Sequence, residues 1–317
     1  MAVKNWSFCL LLAVVFTSTR ALSQQVSDPD FSTRVEHPAF TKTHPRVGID
    51  EAHRNFHTRN GRYKPFADLM ESDGFEVSAG PVFSGNGLNG IDILIISNAM
   101  GGKQGDGRMG PAFTSAECDA VRDWVRGGGS LLLIADHTPM GDAAYPMAQR
   151  FGVEMGRGYA LDPRNYQDHP STLVFSHKNG LLGDHSIVRG RNPSERVETI
   201  VAFTGQSLSV PPNATALMKL SDDAVETFNP DDEQKLESQH VSVGQKIPRG
   251  HAQGLAMPFG KGRVAIFGEA AMFSAQIFTV RGGAFDGRSF KMGMNVPGND
   301  DRQFALNVMH WLGHLMN

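Results

Sequence analysis

The chain has 317 residues, 40% of them hydrophobic and 20% charged, with a formal net charge of −3. This composition is that of a globular protein with a sizeable core. The small net charge gives no electrostatic basis for nucleic-acid binding, and no stretch reaches the roughly 20 apolar residues of a membrane-spanning helix.

Residues 1–23 have the features of a secretory signal peptide. Lys4 supplies a positive charge, residues 8–16 form a short apolar core, and residues 21–23 (ALS) form a cleavage site. We therefore predict a mature protein that begins near Gln24 and is periplasmic or secreted.

Two further segments follow the predicted signal peptide. Residues 24–43 are polar and predict an extended lead-in, whereas residues 44–317 predict a single α/β domain. Removal of the signal takes Cys9 away and leaves Cys118 as the remaining cysteine, which excludes an internal disulfide and a thiolate metal site. Cys118 lies on the apolar side of a helical pattern, so we predict a core residue.

Strand and helix patterns alternate through the domain, as is typical of a parallel sheet built from βαβ units. The predicted strands are Arg46–Ile49, Phe75–Ala79, Ile91–Ser97, Ser130–Ala135 and Gly262–Gly268. The predicted helices are Tyr63–Asp73, one that starts at a Thr114–Glu117 capping box and ends at Gly127, Asp142–Phe151 and Asp301–Met316. Between about 156 and 254 the pattern loosens into turns and short β-like runs, which predicts a β-rich insert in the same domain.

Polar side chains follow four of the predicted core strands. Asp50, Asn98, the pair Asp136 and His137, and Glu269 come directly after their strands. Parallel sheets bind ligands at the carboxyl ends of their strands, so we expect a site there. Asp50, Asp136, His137 and Glu269 are the predicted catalytic groups. Two alternatives stay open, namely that Asp136 caps the next helix and that backbone amides satisfy a buried Glu269.

A divalent metal ion is one option for this site. His53 and His57 are four residues apart and share a face if helical, and with Asp136 and His137 they are the predicted ligands. Such a set suits zinc, manganese or iron. The pattern is not H-E-x-x-H, because Arg54 stands in place of the glutamate, and a surface pair without a role is the alternative.

Further side chains are predicted to bind substrate. Asn55, Asn98 and Gln276 could orient a small polar ligand, and His185 in the insert could approach the site with a lid. The glycine-rich residues 101–107 match neither nucleotide-binding pattern, so no nucleotide is expected.

Five segments together resemble a known family. They are Asp50–Asn55, Phe203–Leu208, Phe259–Arg263, Gly268–Gln276 and Phe304–Leu312. They look like an uncharacterised bacterial family of class I glutamine-amidotransferase-like domains, near the trehalose-utilisation (ThuA-like) proteins, and the likeness spans about Arg46 to Leu312. It implies a flavodoxin-like, doubly wound, mostly parallel sheet and, by association, carbohydrate metabolism.

The sequence departs from true amidotransferases at the nucleophile. Their cysteine occupies a sharp strand-to-helix turn, where this chain has Asp136-His137, so a glutaminase is not expected. We therefore predict an exported hydrolase-like enzyme that acts on a sugar or another small polar substrate without a cysteine nucleophile. A non-catalytic module that binds a glycan or other ligand, and an inactive structural relic, remain alternatives.

Overall fold

The computed structural model describes residues 24–81, 83, 87–105, 109–239, 242–279 and 287–317, so the predicted signal peptide lies outside the described residues. The strands are β1 (Gln24–Ser27), β2 (Arg46–Ile49), β3 (Glu76–Ala79), β4 (Ile93–Ser97), β5 (Ser130–Ile134), β6 (Tyr159–Leu161), β7 (Tyr166–Gln167), β8 (His169–Ser176), β9 (Thr199–Phe203), β10 (Thr215–Lys219), β11 (Val225–Thr227), β12 (Gln245–Lys246), β13 (Ala252–Phe259), β14 (Gly262–Phe267), β15 (Ala275–Thr279) and β16 (Ser289–Gly293). The helices are α1 (Lys64–Ser72), α2 (Ser115–Gly127), α3 (Met140–Gln149), α4 (Ser186–Arg189), α5 (Asp232–Gln239) and α6 (Asp301–Leu312), with 3-10 turns at Pro193–Glu195 and Ala271–Phe273.

The main sheet has seven strands in the order β10-β13-β14-β5-β4-β2-β3. The five strands β3, β2, β4, β5 and β14 are parallel to one another. At one edge β13 pairs antiparallel with β14, and β10 pairs antiparallel with β13. The direction reverses because residues 260–261 join β13 to β14 in a tight hairpin, and Gly260 there has a φ of +62°. The sheet is therefore mixed, with a parallel centre as predicted.

Helices cover the main sheet on both faces. Alternate side chains of β4 point to opposite sides, so that Ile93 and Ile95 pack in one core with α1 and α6. Leu94 and Ile96 pack in the other core with α2 and α3. Burial on both faces explains the unbroken apolar runs of β4 and β5. It also leaves the strand ends as the place where polar groups can meet solvent.

The predicted capping box of α2 is confirmed. The Thr114 hydroxyl accepts a hydrogen bond from the Glu117 amide at 3.2 Å, and the Glu117 carboxylate accepts one from the Thr114 amide at 2.8 Å. Cys118 is fully buried on this helix, and burial raises the pKa of its thiol to about 11. Cys118 is thus a core residue, as predicted.

Small sheets surround the main one. The strands of the predicted insert form two three-stranded sheets, β12-β11-β6 and β7-β8-β9, while β10 extends the main sheet. The lead-in begins with β1, which pairs antiparallel with β15. The insert is β-rich, and it is joined to the main sheet by hydrogen bonds between β10 and β13.

The last helix is shorter than predicted. It ends at Leu312, because the chain turns at His314, which has a φ of +59°, and the Leu315 amide donates to the His310 carbonyl. Leu315, which lies within the predicted helix, is 37% exposed. The apolar pattern of the sequence does not indicate this turn.

A buried ion pair connects α1, α6 and the lead-in. His310 Nε2 lies 2.6 Å from Asp73 Oδ2 with both side chains 2% exposed, and Asp73 Oδ1 accepts the Ala39 amide at 2.8 Å. We expect Asp73→Ala to lower the free energy of unfolding by about 3–5 kcal/mol, because it leaves a buried partner unpaired. Urea denaturation measures it, with Asp68→Ala as the control, since Asp68 pairs with the exposed Lys64. Equal effects of the two substitutions would contradict the prediction.

Candidate functional site

A cleft lies at the carboxyl ends of the parallel strands, with a cavity volume of about 430 Å³. Its polar lining side chains include His57, Arg62, Asp136, His137, Glu269 and Gln276. Two larger cavities of about 750 and 650 Å³ lie along α6 and at the amino ends of the strands, and neither is lined by a predicted site residue. The cleft is therefore the candidate site.

Asp136 is held in place by its neighbour on the adjacent strand. Asn98 Nδ2 donates to Asp136 Oδ2 at 2.6 Å, and Asn98 Oδ1 accepts the Asp136 amide at 2.9 Å. Asp136 Oδ1 is buried and has no hydrogen-bond partner among the described residues. Burial raises the pKa of the Asp136 carboxyl to about 7, against the opposing effects of Asn98, the Ala270 amide and the Arg62 charge. Asn98 is therefore a positioning residue rather than a lining one.

Glu269 faces the same cleft and is completely buried. One oxygen accepts a hydrogen bond from the Ala271 amide at 2.6 Å, and the other accepts one from the Met272 amide at 2.9 Å. Backbone amides therefore satisfy the buried Glu269 carboxyl, which is the alternative that the sequence left open. Burial and the charge of Asp136 nevertheless raise the pKa of Glu269. Because burial disfavours ionisation of both carboxyls, and the charge of Asp136 further disfavours that of Glu269, the pair retains a proton up to near-neutral pH.

His137 is a neutral base. Its Nδ1 lies 2.8 Å from the Thr138 carbonyl oxygen, and since a carbonyl oxygen can only accept, the proton is on Nδ1. Burial lowers the pKa of His137, and its ring stacks on Tyr159 with centroids 4.0 Å apart. The Nε2 lone pair is therefore available to accept a proton.

His57 and Arg62 form the opposite wall. Burial and the Arg62 charge lower the pKa of His57 to about 3, and its ring stacks on Tyr63. The Arg62 guanidinium lies 3.7 Å from the centroid of the Phe56 ring, which is 49% exposed. Arg62 was not predicted as a site residue. It lies after His57 in the loop that follows β2, and the same loop carries the predicted residues His53 and Asn55.

Three predicted site residues lie beside the cleft rather than in it. Asp50 accepts hydrogen bonds from His53 Nδ1 at 2.9 Å and from Asn55 Nδ2 at 3.1 Å. His53 Nε2 lies 3.3 Å from Glu117 Oε1, and although burial opposes its charge, the two carboxylates raise its pKa. Both ring nitrogens thus donate to carboxylates, which leaves His53 no lone pair for a metal. This network places Asp50, Asn55 and His53 outside the cleft, and their catalytic, substrate-binding and metal roles stay predictions.

The insert does not bring His169 or His185 to the cleft. His185 Nδ1 accepts the Ile187 amide at 3.2 Å and its ring packs against Trp311, while the side chain of His169 is 62% exposed and lies 3.5 Å from Glu237. His185 caps α4 and does not line the cleft, so its role in substrate binding stays a prediction. The insert borders the cleft through Phe203 and Thr204 instead.

Of the predicted metal ligands, His57, Asp136 and His137 line the cleft, whereas His53 lies beside it. Within the described ranges, no three His, Cys, Asp or Glu side chains are grouped so that they could hold a metal ion. Also within those ranges, none of the helices has the length and apolarity needed to cross a bilayer.

Comparisons with known proteins show a similarity of fold only. No family model matches the sequence, and no curated protein matches it. The N-terminal domain of mmIFT52 is 15% identical with a TM-score of 0.56, and the match covers 84% of this chain and 97% of that one. A ThuA-like protein from Bacteroides uniformis ATCC 8492 is 14% identical (TM-score 0.41, 88% and 93% covered), and cytoplasmic protein STM3548 from Salmonella typhimurium is 10% identical (0.43, 84% and 98%). The first match indicates a shared α/β fold, and the other two scores are too low to carry an argument.

Proposed function

We propose that this protein is a hydrolase-like enzyme that acts on a small polar substrate by acid-base chemistry at Asp136 and His137. The observation that carries the proposal is a carboxyl group with a raised pKa and an unbonded oxygen, at the same cleft as a neutral imidazole. Perturbed groups that converge in a cleft are typical of active sites. The buried thiol of Cys118 takes no part.

The two groups have complementary proton roles. His137 Nε2 accepts a proton from a water molecule as that water attacks the substrate. The bond to the leaving group breaks, and the protonated Asp136 carboxyl supplies the proton that the leaving group takes up. The proton on His137 then returns to Asp136 through solvent, so that one water is consumed per bond cleaved. General acid-base catalysis of this kind contributes about 10²–10⁴-fold to a rate.

The test is a screen of the purified protein on sugar-derived glycosides, esters and amides, followed by substitution. We expect His137→Asn to lower kcat by about 10²–10⁴-fold, because the base is removed while the Tyr159 ring stays in place. His169→Asn is the matched control, since His169 is exposed and remote from the cleft. Equal activity of the two variants would exclude His137 as the base.

A metal-assisted version uses the same cleft. Asp136, His137 and His57 would be its ligands, and a bound ion would lower the pKa of a water molecule. Elemental analysis of the purified protein, with activity measured before and after chelation, decides between the two versions.

A non-catalytic binding module is the second candidate. The exposed Phe56 ring under Arg62 offers an aromatic surface at the mouth of the cleft, as sugar-binding sites require. Ligand binding without turnover across the screen would favour this candidate.

We also propose that the chain belongs to the flavodoxin-like, doubly wound class of glutamine-amidotransferase-like domains and is exported. The parallel strands follow the order second, first, third, fourth, fifth along the chain, which supports the class, as do helices on both faces of the sheet. Export rests on the features of residues 1–23, and N-terminal sequencing of protein from the periplasm or medium tests it.

A further inference from the structure

Three polar atoms that line the cleft are buried without partners. Asp136 Oδ1, Gln276 Oε1 and Arg62 Nη1 have no hydrogen bond to any residue that the structure describes. Buried polar groups are nearly always bonded in folded proteins, because leaving one unpaired is costly. Gln276 Oε1 is an acceptor, Arg62 Nη1 is a cationic donor, and Asp136 Oδ1 donates when its carboxyl is protonated and accepts when it is ionised. The three atoms at a single cavity therefore indicate a ligand with the complementary groups.

The Gln276 amide has a fixed orientation. The Ser274 hydroxyl donates to the Ala271 carbonyl at 2.7 Å, so the Ser274 oxygen must accept from Gln276 Nε2, also at 2.7 Å. This assigns the nitrogen of the amide and leaves Oε1 as the free atom. A ligand that bonds Gln276 must consequently present a donor such as a hydroxyl group.

Arg62 supplies a positive charge without a direct ion-pair partner among the described residues. The guanidinium influences Asp136, but the two side chains make no direct ion pair in the described ranges. Its plane is supported by Phe56, which limits its motion. A guanidinium with a free Nη1 is suited to a carboxylate or phosphate oxygen.

We propose that the ligand of this cleft is a small hydroxylated anion, such as a sugar acid or sugar phosphate, whose anionic group binds Arg62 and whose hydroxyl donates to Gln276. The cavity of about 430 Å³ is in the range of small-molecule sites and suits a ligand of this size. The positive charge of Arg62 favours the ionised form of Asp136. A bound anion offsets this charge and so helps to keep the Asp136 carboxyl protonated for its role as an acid. The inference names the substrate class for the site of the proposed function and in that respect rests on it.

Calorimetric titration of the purified protein tests the inference without requiring turnover. The probes are glucuronate, glucose 6-phosphate and neutral glucose at millimolar concentration. We expect one or both anions to bind about 10- to 100-fold more tightly than glucose, and Arg62→Gln to remove that preference. Arg59→Gln is the matched control, because Arg59 lies in the same loop but pairs with Glu71. Preference for glucuronate or for the phosphate identifies the anionic group.

The outcomes separate this inference from the proposed catalysis. Equal affinity for glucose and both anions, or binding of none of the three, overturns the inference, and the wild-type comparison holds even if Arg62→Gln does not fold. Anion binding that depends on Arg62, without turnover of any anionic ester or glycoside, supports the ligand class and rejects the enzyme. Turnover of neutral substrates at the same rate in Arg62→Gln and the wild type supports the enzyme and rejects the ligand class.

Discussion

Asp136→Asn is expected to reduce turnover by about 10²–10⁴-fold, because the amide cannot donate the proton that the leaving group needs. Asparagine preserves the size of the side chain, and its Oδ1 can still accept the hydrogen bond from Asn98 Nδ2. The fold should therefore persist, and ligand affinity should change far less than kcat. A fall in kcat together with a lower melting temperature would point to misfolding instead of a lost acid.

The same substitution should change how stability depends on pH. The pKa of Asp136 is about 7 in the folded protein and about 3.9 in an unfolded chain, so the folded state binds more protons between these values. The stabilisation by the protonated carboxyl is complete below about pH 4 and is lost as the pH rises towards 7. Asp136→Asn removes this loss and should be more stable than the wild type at pH 8 by about 2–4 kcal/mol.

Urea denaturation at several pH values measures this difference. His57, whose pKa is lowered to about 3, destabilises both proteins as the pH falls below about 6.5, so its effect cancels in the comparison. Asp142→Asn is the control, since Asp142 lies on the same side of the sheet and accepts the Thr138 hydroxyl and the Arg157 guanidinium. A constant difference between Asp136→Asn and wild type from pH 4 to 8 would refute the raised pKa.

The strand ends that the sequence identified do not contribute equally to the site. Apolar runs located β2, β4, β5 and β14, and parallel strands necessarily end on one side of the sheet, which brings Asp136 and Glu269 to one cleft. The direction of a side chain after a strand depends on the following loop. Asp50 turns to the Ala52 amide and His53, so it lies beside the cleft.

Contacts between residues that are far apart in the sequence explain the other differences between the predicted and the observed site. His53 and His57 were paired by a helical spacing, but the loop that carries them is not helical, and His53 bonds Glu117, 64 residues away. Gln276 was identified because it follows Glu269 in a recognised segment, whereas Arg62 has no distinctive motif. Its importance comes from having no carboxylate partner in the described part of the chain, which only packing reveals.

Glu269→Ala is expected to lower the free energy of unfolding by about 2–5 kcal/mol. The substitution leaves the buried amides of Ala271 and Met272 without acceptors, and each unpaired donor costs about 1–3 kcal/mol. Removal of a buried carboxyl with a raised pKa offsets part of that cost. Glu269→Gln should lie between Glu269→Ala and the wild type, because its oxygen can accept one amide while its nitrogen faces the other.

The two Glu269 variants also separate structure from chemistry. The charge of Asp136 raises the pKa of Glu269, so the two carboxyls interact, and the pH–rate profile of each variant is compared with that of the wild type at its own optimum. If Glu269 only supports the turn that follows it, maximal kcat in Glu269→Gln should stay within about tenfold of the wild type at that optimum. A loss as large as that of Asp136→Asn would instead make Glu269 a group that transfers a proton, since support of a turn cannot account for a loss confined to the chemical step.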